Sequence, residues 1–425
     1  GMPESSSDED VPLSKRLATQ QVMIVATADP GQADISGTGF AGRLRVDPKP
    51  SAVAGKKRSR TGGSGGPSGG PSGGPSARAA RLGSGGSFAL EAATGDFSAG
   101  YATVGVLGRG SFTEVNLLRH RESGGLFVLK TCCKLDALSY AHLRAEAAAM
   151  RGVNHPLLVA PVAISSPPGR SANYSLLLPL CPGGDLLQLL RRQPDHKLPS
   201  DEARLYCGMV ILGLCALHEH GFAYRDLKPE NLLLRADGYI ALSDFGFAAK
   251  FKDCGKVKVG TTLYQAPELV RKAKHGAPVD WWALGVLLVE MLTGETPFGT
   301  DIAAAHVEAN GAAGGADEPR GESDEAVIES NILSHTGGVP TRSAAAVPAG
   351  APSELVAGLL TPDPVARLGS SGGATQVRSA NWLLDIDWAA LEARTLPVPH
   401  IPPPVAEDVD QALVELCKRC QSGFD

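Results

Sequence analysis

The chain changes from short strand-like segments to long helical ones, and this change limits the folds that it can adopt. Three strand-like segments follow one another from residue 101, separated by turns that contain glycine: YATVGVLG, FTEVNLLRH and GLFVLKTC. Two more, LLVAPVAI and YSLLLPL, come after a helix-forming stretch at residues 142–150. Helical segments then dominate, at residues 201–220, 279–292 and 353–360. We predict an α+β fold with a small β-rich part, a larger helical part and a cleft between them.

Two low-complexity stretches are predicted to lie outside the packed core. Residues 1–98 hold acidic SSSDED, basic KKRSR and the repeat GGSGGPSGGPSGGPS, which bury too little apolar surface to offset the entropy of ordering. Residues 303–325 are rich in Ala, Gly and acids and are predicted to form a surface insertion. The predicted organisation is a disordered leader (1–98), a β-rich domain (99–180), a helical domain (181–388) with the insertion, and a tail (389–425).

Charge and cysteine content exclude several classes of protein. A net charge of −5 and a pI near 6.1 leave no broad basic field, so nucleic acid is not a predicted partner. The apolar run VMIVATA is too short to span a bilayer, and no membrane span is predicted. Eight scattered cysteines fit free thiols in a reducing compartment, and the lone CxxC at Cys417 and Cys420 is interpreted as ordinary thiols. We predict a cytoplasmic location; a nuclear one is the alternative if KKRSR is a localisation signal rather than a solvated charge run.

A glycine-rich turn, a strand lysine and a helix glutamate together suit phosphate binding. LGRGSFTEV places Gly108 and Gly110 where the backbone can lie close over phosphates, although most turns of this kind are only turns. Lys130 projects from the third strand, and taken alone it would be interpreted as solvent-facing. Glu146 follows on the helix, where its carboxylate could hold the Lys130 ammonium in place.

The octapeptide YRDLKPEN, at residues 224–231, carries the side chains that phosphoryl transfer requires. Asp226 can accept the proton of an attacking hydroxyl, Lys228 can neutralise the moving phosphoryl group, and Asn231 can hold a metal ion. DFG begins thirteen residues after Asn231 (244 − 231), and Asp244 can chelate the Mg²⁺ that bridges nucleotide phosphates. ATP and Mg²⁺ are therefore the predicted cofactors.

Taken together, these motifs resemble the catalytic domain of eukaryotic protein kinases over residues 101–404. The glycine-rich loop, strand lysine, catalytic loop, DFG and APE occur in the order of that family, which makes the joint match highly specific. YRDLKPEN in place of HRDLKPEN, together with DFGFA and VDWWALGVLLVEMLTG, is similar to the AGC group of Ser/Thr kinases and most like the cyclic-nucleotide-dependent kinases. The resemblance implies a two-lobed fold, with the ATP cleft between a β-rich N-lobe and a helical C-lobe.

The resemblance also implies a role for individual positions. Lys228 is the Ser/Thr signature and Thr261 the threonine that assists it, so a tyrosine substrate is disfavoured. The catalytic positions are Asp226, Lys228, Lys130, Glu146 and Thr261; the metal positions are Asn231 and Asp244; and the nucleotide-binding positions are Leu107, Gly108, Gly110, Val115, Val128, Lys130, Asp185 and Leu233.

Structural roles follow from the same resemblance. Glu268 of APE is expected to pair with Arg367, and Asp280 is expected to brace the catalytic loop. Pro199, Ser200 and Asp201 are predicted to stop the preceding segment and cap the first long helix. The segment after Asn381 resembles the start of the tail of the group, but the terminal hydrophobic motif of many members is not visible in CQSGFD, so the tail is truncated or divergent.

Three acids predict the substrate class. Asp185, Glu230 and Glu290 match positions at which relatives recognise arginines before the target Ser or Thr, and carboxylates favour guanidinium through bidentate hydrogen bonds. The predicted partners are therefore protein substrates with basic residues before Ser or Thr. The alternative is that the three acids are unrelated, because Asp185 is shorter than the Glu of the family.

The sequence departs from the family pattern at three positions. Thr113 replaces the third glycine of the loop, where its branched side chain is predicted to stiffen the turn; Val128 replaces a small alanine, and its extra methyl groups would crowd the adenine. Val257 stands where relatives carry a phosphorylated threonine, whose phosphate pairs with positions matched here by Arg225 and His142. Either Asp253 or a buried valine contact orders this loop without a phosphate, or the loop is poorly ordered and activity is low.

Two functions and two modes of regulation stay open at this point. The leading prediction is an active Ser/Thr kinase, because every catalytic position is occupied; the alternative is a catalytically weak or inactive pseudokinase that acts as a nucleotide-binding scaffold. No cyclic-nucleotide-binding domain is visible in residues 1–98, so such regulation would need a regulatory subunit or a longer chain. An inhibitory segment is the other option, since Arg58–Thr61 and Arg81–Ser84 resemble substrate sites.

Overall fold

The computed structural model describes residues 97–109, 113–132, 137–165, 174–299 and 324–405, together with the single positions 411 and 416. Residues 1–96 of the predicted leader, Gly110, and the cysteines of the CxxC lie outside these residues, so the predictions for them stay untested. The predicted domain limits likewise remain predictions.

One antiparallel sheet forms the β-rich part. Its strands are β1 (Tyr101–Arg109), β2 (Thr113–His120), β3 (Leu126–Cys132), β4 (Ala163–Ser165) and β5 (Ser175–Pro179), and they lie in the order β1-β2-β3-β5-β4. Residues with β-branched and aromatic side chains are frequent in its first three strands, which confirms the strands predicted there. The register of β1 shifts between Thr103 and Gly105 and between Val106 and Gly108, so the strand is bent before it reaches the glycine-rich turn.

Part of the predicted fourth strand pairs elsewhere. Only the end of LLVAPVAI joins this sheet as β4, whereas Leu158 forms an isolated parallel bridge with Leu242 in the helical part. The amide of Leu242 donates to Leu157 O at 2.9 Å, and the amide of Val159 donates to Leu242 O at 2.8 Å. Pro161 has no amide hydrogen and cannot continue the ladder, which separates the two pairings.

The helical part is built on two long helices that are buried over most of their lengths. Twelve residues of α3 (Ser200–Glu219) and fourteen of α5 (Pro278–Thr293) are buried, including Trp281 and Trp282, so both helices form the core rather than cover it. Pro278 occupies the first turn of α5, and Gly294 ends the helix in the left-handed conformation at φ 82°. The helices are α1 (Ala137–Gly152), α2 (Leu186–Arg191), α3 (Ser200–Glu219), α4 (Pro267–Val270), α5 (Pro278–Thr293), α6 (Asp324–Ser334), α7 (Ala351–Leu359), α8 (Gly373–Arg378) and α9 (Trp388–Glu392).

One detail of the helix predictions was wrong. The start of α3 is correct, but Pro199 occupies the cap position and no side chain caps the first turn. Helix α6 begins at Asp324, within two residues of the predicted end of the surface insertion, of which residues 303–323 lie outside the described part. Within the described ranges, no helix is long and apolar enough to cross a membrane.

Short two-stranded ladders carry the loops of the helical part. Strand β7 (Leu232–Leu234) pairs with β8 (Ile240–Leu242), and β6 (Phe222–Ala223) pairs with β9 (Ala249–Lys250). The octapeptide YRDLKPEN therefore runs from the end of β6 to the start of β7, and DFG follows β8. Loops fixed at both ends by ladders hold their side chains more precisely than free loops do.

Candidate active site

Pairing of the first three strands places several predicted nucleotide contacts on one sheet face. Val115 lies opposite Lys130 in the β2–β3 register, and Val128 shares the face of Lys130 because alternate residues of a strand project to the same side. Gly108 lies opposite Val115, and a side chain at Gly108 would meet no atom within 4 Å, so space remains open above it. Thr113, predicted to stiffen the turn, is instead the buried first residue of β2.

Lys130 connects the sheet to both the first helix and the DFG segment. Its Nζ lies 3.0 Å from Glu146 Oε1 on α1 and 3.2 Å from Asp244 Oδ1. Burial would lower the pKa of Lys130, but the carboxylates of Asp244 and Glu146 outweigh it and raise that pKa, so the ammonium stays charged. The predicted Lys130–Glu146 contact is present, and it presents a fixed cation beside Asp244.

Asp226 is the centre of a buried hydrogen-bonded group. Asn231 Nδ2 donates to Asp226 Oδ2 at 2.9 Å and to the backbone oxygen of the same residue at 2.8 Å. The amide and hydroxyl of Thr261 each donate to Asp226 Oδ1 at 3.0 Å. Lys228 Nζ donates to Thr261 Oγ1 at 2.9 Å and lies 3.5 Å from Asp226 Oδ2. The structure thus brings together three predicted catalytic residues, Asp226, Lys228 and Thr261, and the predicted metal ligand Asn231.

Asp280 holds the start of the catalytic loop, as predicted. Its carboxylate accepts hydrogen bonds from the amides of Tyr224 at 2.9 Å and Arg225 at 2.7 Å, and its Oδ2 lies 2.7 Å from His218 Nε2. Asp280 is fully buried, so these contacts replace the water that the charge has lost. Arg225 adopts φ 70° at this point, a strained conformation that the surrounding bonds maintain.

The end of the DFG-to-APE segment is fastened by the predicted ion pair. Arg367 donates to both oxygens of Glu268, at 2.7 and 2.9 Å, and also to the carbonyls of Thr361 and Pro278. Both residues are buried, and two parallel hydrogen bonds of this kind both stabilise the pair and fix the relative position of the two side chains. The segment therefore has a rigid end at Glu268.

Neither predicted route to ordering the loop by Asp253 or Val257 is seen. Val257 is 48% exposed and supplies no buried valine contact, whereas Val259 packs against the core. Asp253 is exposed, and no ion pair joins it to another described residue. Arg225 Nε donates to Phe247 O at 2.7 Å, and its Nη1 lies 3.3 Å from His275 Nε2. The side chain of His142 lies outside the described part of the chain.

The three predicted substrate-binding acids lie within electrostatic reach of one another. Burial raises the pKa of Asp185 to about 6 and that of Glu290 to about 8, and the charge of Glu230 contributes to both shifts. Asp185 also accepts from the amide of Gln188 at 2.8 Å and thereby caps α2. Tyr264 Oη donates to Glu290 Oε2 at 2.5 Å. The acids therefore form one acidic region, in which Glu230 is exposed and Glu290 is buried.

Asn231 and Asp244 have the chemistry of Mg²⁺ ligands. Hydrogen bonds from Asn231 Nδ2 to Asp226 orient the amide and leave Oδ1 as its acceptor atom, and the Asp244 side chain is 43% exposed. Amide and carboxylate oxygens are the ligands that this hard cation prefers, and Mg²⁺ commonly takes few protein ligands and completes its shell with water and phosphate. The residues present thus fit the ion.

Several contributors to the site were not predicted from the sequence. His218 contacts Asp280, and Tyr224 Oη donates to the carbonyl of Ser243 beside Asp244. Gln265 Nε2 donates to the carbonyls of Val259 at 3.2 Å and Gly260 at 2.9 Å. No local pattern distinguishes these residues from ordinary core or loop positions, because their partners lie in other elements.

Comparison with known proteins agrees with this geometry. The protein kinase domain family model matches residues 101–383. The human cAMP-dependent protein kinase catalytic subunit PRKX is 32% identical over 319 residues, which cover 74% of this chain and 80% of that protein. The cAMP-dependent protein kinase catalytic subunit of Dictyostelium discoideum is 31% identical over 71% of this chain, and mouse ribosomal protein S6 kinase alpha-4 is 33% identical over 71%. The matched region spans only 42% and 37% of those last two proteins.

Proposed function

Because the chain belongs to the protein kinase family, with relatives in the AGC group of serine/threonine kinases, we propose that it transfers the γ-phosphoryl group of Mg-ATP to serine or threonine in proteins. The observation that carries the proposal is the hydrogen-bonded group around Asp226, which joins a base, a cation and a metal ligand. Lys130 on the sheet, hydrogen-bonded to Asp244, completes the group of side chains that phosphoryl transfer requires.

Asp226 is the proposed base. The substrate hydroxyl attacks the γ-phosphorus, the bond from that phosphorus to the β–γ bridging oxygen breaks, and the hydroxyl proton passes to the Asp226 carboxylate. Hydrogen bonds from Asn231 and Thr261 hold this carboxylate in one orientation. Positioning of this kind supplies much of the rate enhancement in phosphoryl transfer, because the protein forms no covalent bond to the transferred group.

Lys228 and Lys130 are the proposed partners of the phosphate charge. Against the effect of burial, the carboxylate of Asp226 raises the pKa of Lys228, so its ammonium stays charged next to the base. Lys130, held by Glu146, would bind the phosphates of the bound nucleotide. Asn231 and Asp244 would hold Mg²⁺, which would neutralise part of the phosphate charge.

We further propose that the substrates carry arginine before the target residue. Asp185, Glu230 and Glu290 place three carboxyl groups in one region, and a guanidinium would both neutralise them and bond to them. Glu290 is protonated at neutral pH while it is buried and unpaired with a cation, since burial raises its pKa to about 8. Binding of arginine would favour its ionised form.

The test is phosphate transfer from Mg-ATP to an Arg-Arg-x-Ser peptide by the purified chain. Lys130→Met and Asp244→Ala should each lower kcat by about 100-fold or more, as removal of a charge-stabilising group does elsewhere. Lys274→Met, which changes an exposed lysine of the helical part, is the matched control and should leave the rate unchanged. Nucleotide binding without transfer in the unaltered chain would contradict the proposal and favour a scaffold.

A further inference from the structure

Lys258 is the one residue of the DFG-to-APE segment that joins it by ion pairs to helix α6. Its Nζ lies 2.5 Å from Glu325 Oε1 and also contacts Glu329 Oε1, and these two carboxylates stand one helical turn apart. The Lys258 side chain is only 16% exposed. Thr262, four residues later, donates from Oγ1 to the same Glu325 oxygen at 3.0 Å. Two points of the segment are thus fastened to one helix.

The contact suits a stable arrangement in charge as well as in distance. Two glutamates spaced i,i+4 on a helix repel each other, and a cation between them removes that repulsion. Burial would lower the pKa of Lys258, but Glu325 and Glu329 outweigh it and raise that pKa, so the ammonium stays charged. Lys258, Glu325 and Glu329 are defined here as the Lys258 clamp.

The clamp lies close in sequence to the catalytic contacts. Only two residues separate Lys258 from Thr261, whose amide and hydroxyl both bond to Asp226. Gln265 fixes the intervening backbone through the carbonyls of Val259 and Gly260. The backbone between Lys258 and Thr261 spans at most about 10 Å when extended. A displacement of Lys258 would therefore move Thr261 and, through it, the Asp226 carboxylate.

At its midpoint, the same segment lacks two features that could order it: a phosphorylation site on Ser or Thr and a buried side chain at Val257. No Ser or Thr occurs between Asp244 and Gly260, so phosphorylation on those residue types is excluded there. Val257, next to Lys258, is exposed and contributes no buried contact. In other proteins, a phosphate group can order a loop by forming ion pairs with a fixed element. The Lys258 clamp forms ion pairs of this kind between the loop and helix α6.

We propose that the Lys258 clamp orders the DFG-to-APE segment in the absence of phosphorylation, so that Lys258 is a positioning residue for Asp226 through Thr261. The inference rests on the proposed kinase function for its effect on turnover, but the order of the segment can be measured without turnover. The clamp would make the chain constitutively competent, without an activating kinase for this loop.

The first experiment measures amide hydrogen exchange over residues 254–262 in the phosphatase-treated full chain. Lys258→Met should increase exchange there by about tenfold, within the range found for coupling between two sites. Lys258→Arg should retain protection, since it keeps the charge. Lys256→Met is the matched control: this lysine is exposed, lies in the same segment and forms no ion pair with a described residue. Its exchange should equal that of the unaltered chain.

The second experiment measures transfer to the arginine peptide. Lys258→Met should lower kcat about tenfold at unchanged KM for ATP, in the same range of coupling. Glu325→Gln combined with Glu329→Gln should cause a similar loss, and adding Lys258→Met to that pair should cost little more, because all three changes break one contact. If Lys258→Met melts early, Glu329→Gln alone provides the milder test.

The outcomes separate the two proposals. Protected amides at residues 254–262 without any phosphate transfer would contradict the kinase function and leave the clamp in place. Transfer by the unaltered chain with exchange in Lys258→Met no faster than in Lys256→Met would overturn the clamp and leave the kinase function in place. Equal kcat for Lys258→Met and the unaltered chain would likewise overturn the positioning role.

Discussion

Arg367 and Glu268, 99 residues apart in the sequence, form two hydrogen bonds of 2.7 and 2.9 Å inside the helical part. Removing one partner leaves the other charge buried and unpaired. We expect Glu268→Gln or Arg367→Met to lower the free energy of unfolding by about 3–5 kcal/mol, as for other buried ion pairs. Urea denaturation measures this loss.

The matched control for that prediction is an exposed ion pair. Arg109 pairs with Glu114 at 2.7 Å on the sheet, and its side chain is 72% exposed. Arg109→Ala should leave the urea midpoint unchanged, since water and salt screen the pair. Equal effects of the two arginine substitutions would contradict the role given to burial.

Gly260 occupies a position where only glycine fits. Its φ is +83°, and a Cβ built on it would lie 2.3 Å from the carbonyl oxygen of Arg225 and 3.4 Å from Asp226 Oδ1. Gly260→Ala should cost about 1–3 kcal/mol through backbone strain alone and should displace the proposed base, so we expect little remaining transfer activity. Gly255→Ala is the control in the same segment, because a Cβ there meets nothing within 4 Å. A Gly260→Ala protein with normal kcat would refute this account.

The pH dependence of peptide binding should follow Asp185. Burial raises the pKa of this carboxyl to about 6, so it is ionised above that pH and neutral below it. Arginine stays protonated throughout, so KM for the arginine peptide should rise as the pH falls through about 6. Initial rates between pH 5 and pH 8 measure the effect.

Two variants test the assignment to Asp185. Asp185→Asn keeps an oxygen to cap α2 but cannot ionise, so it should raise KM at pH 8 and remove the step near pH 6. Asp195→Asn changes an exposed acid in a left-handed conformation that asparagine also tolerates, and it should leave the profile intact. A step that persists in Asp185→Asn would point to another group.

Val128 should limit the affinity for ATP. It shares the sheet face of Lys130, and its two methyl groups stand where the adenine is proposed to bind. Val128→Ala should lower KM for ATP several-fold at a stability cost of about 1 kcal/mol for the lost methyl groups. Val162→Ala, at a position that is 41% exposed, is the control for the loss of volume alone. An unchanged KM would show that Val128 does not crowd the nucleotide.

Local pattern predicted the first three strands, α1 and both long core helices, because alternation and helical spacing are properties of neighbouring residues. It predicted LLVAPVAI poorly, since Leu158 finds its partner at Leu242, far along the chain. The cap of α3 was also wrong, because Ser200 and Asp201 lie inside the first turn rather than before it. Such boundaries depend on one residue and are the least certain part of a local pattern.

The sequence by itself determined the kinase motifs, their order and the residue types that phosphoryl transfer needs, because these are contiguous and chemically specific. Only the tertiary structure decided which groups meet. It placed Thr261 on Asp226, Tyr264 on Glu290, and Lys258 between two glutamates that follow a low-complexity stretch. The physical reason is that an ion pair or hydrogen bond forms at about 3 Å, and separations on that scale between distant residues are set by the packing of whole elements rather than by neighbouring sequence.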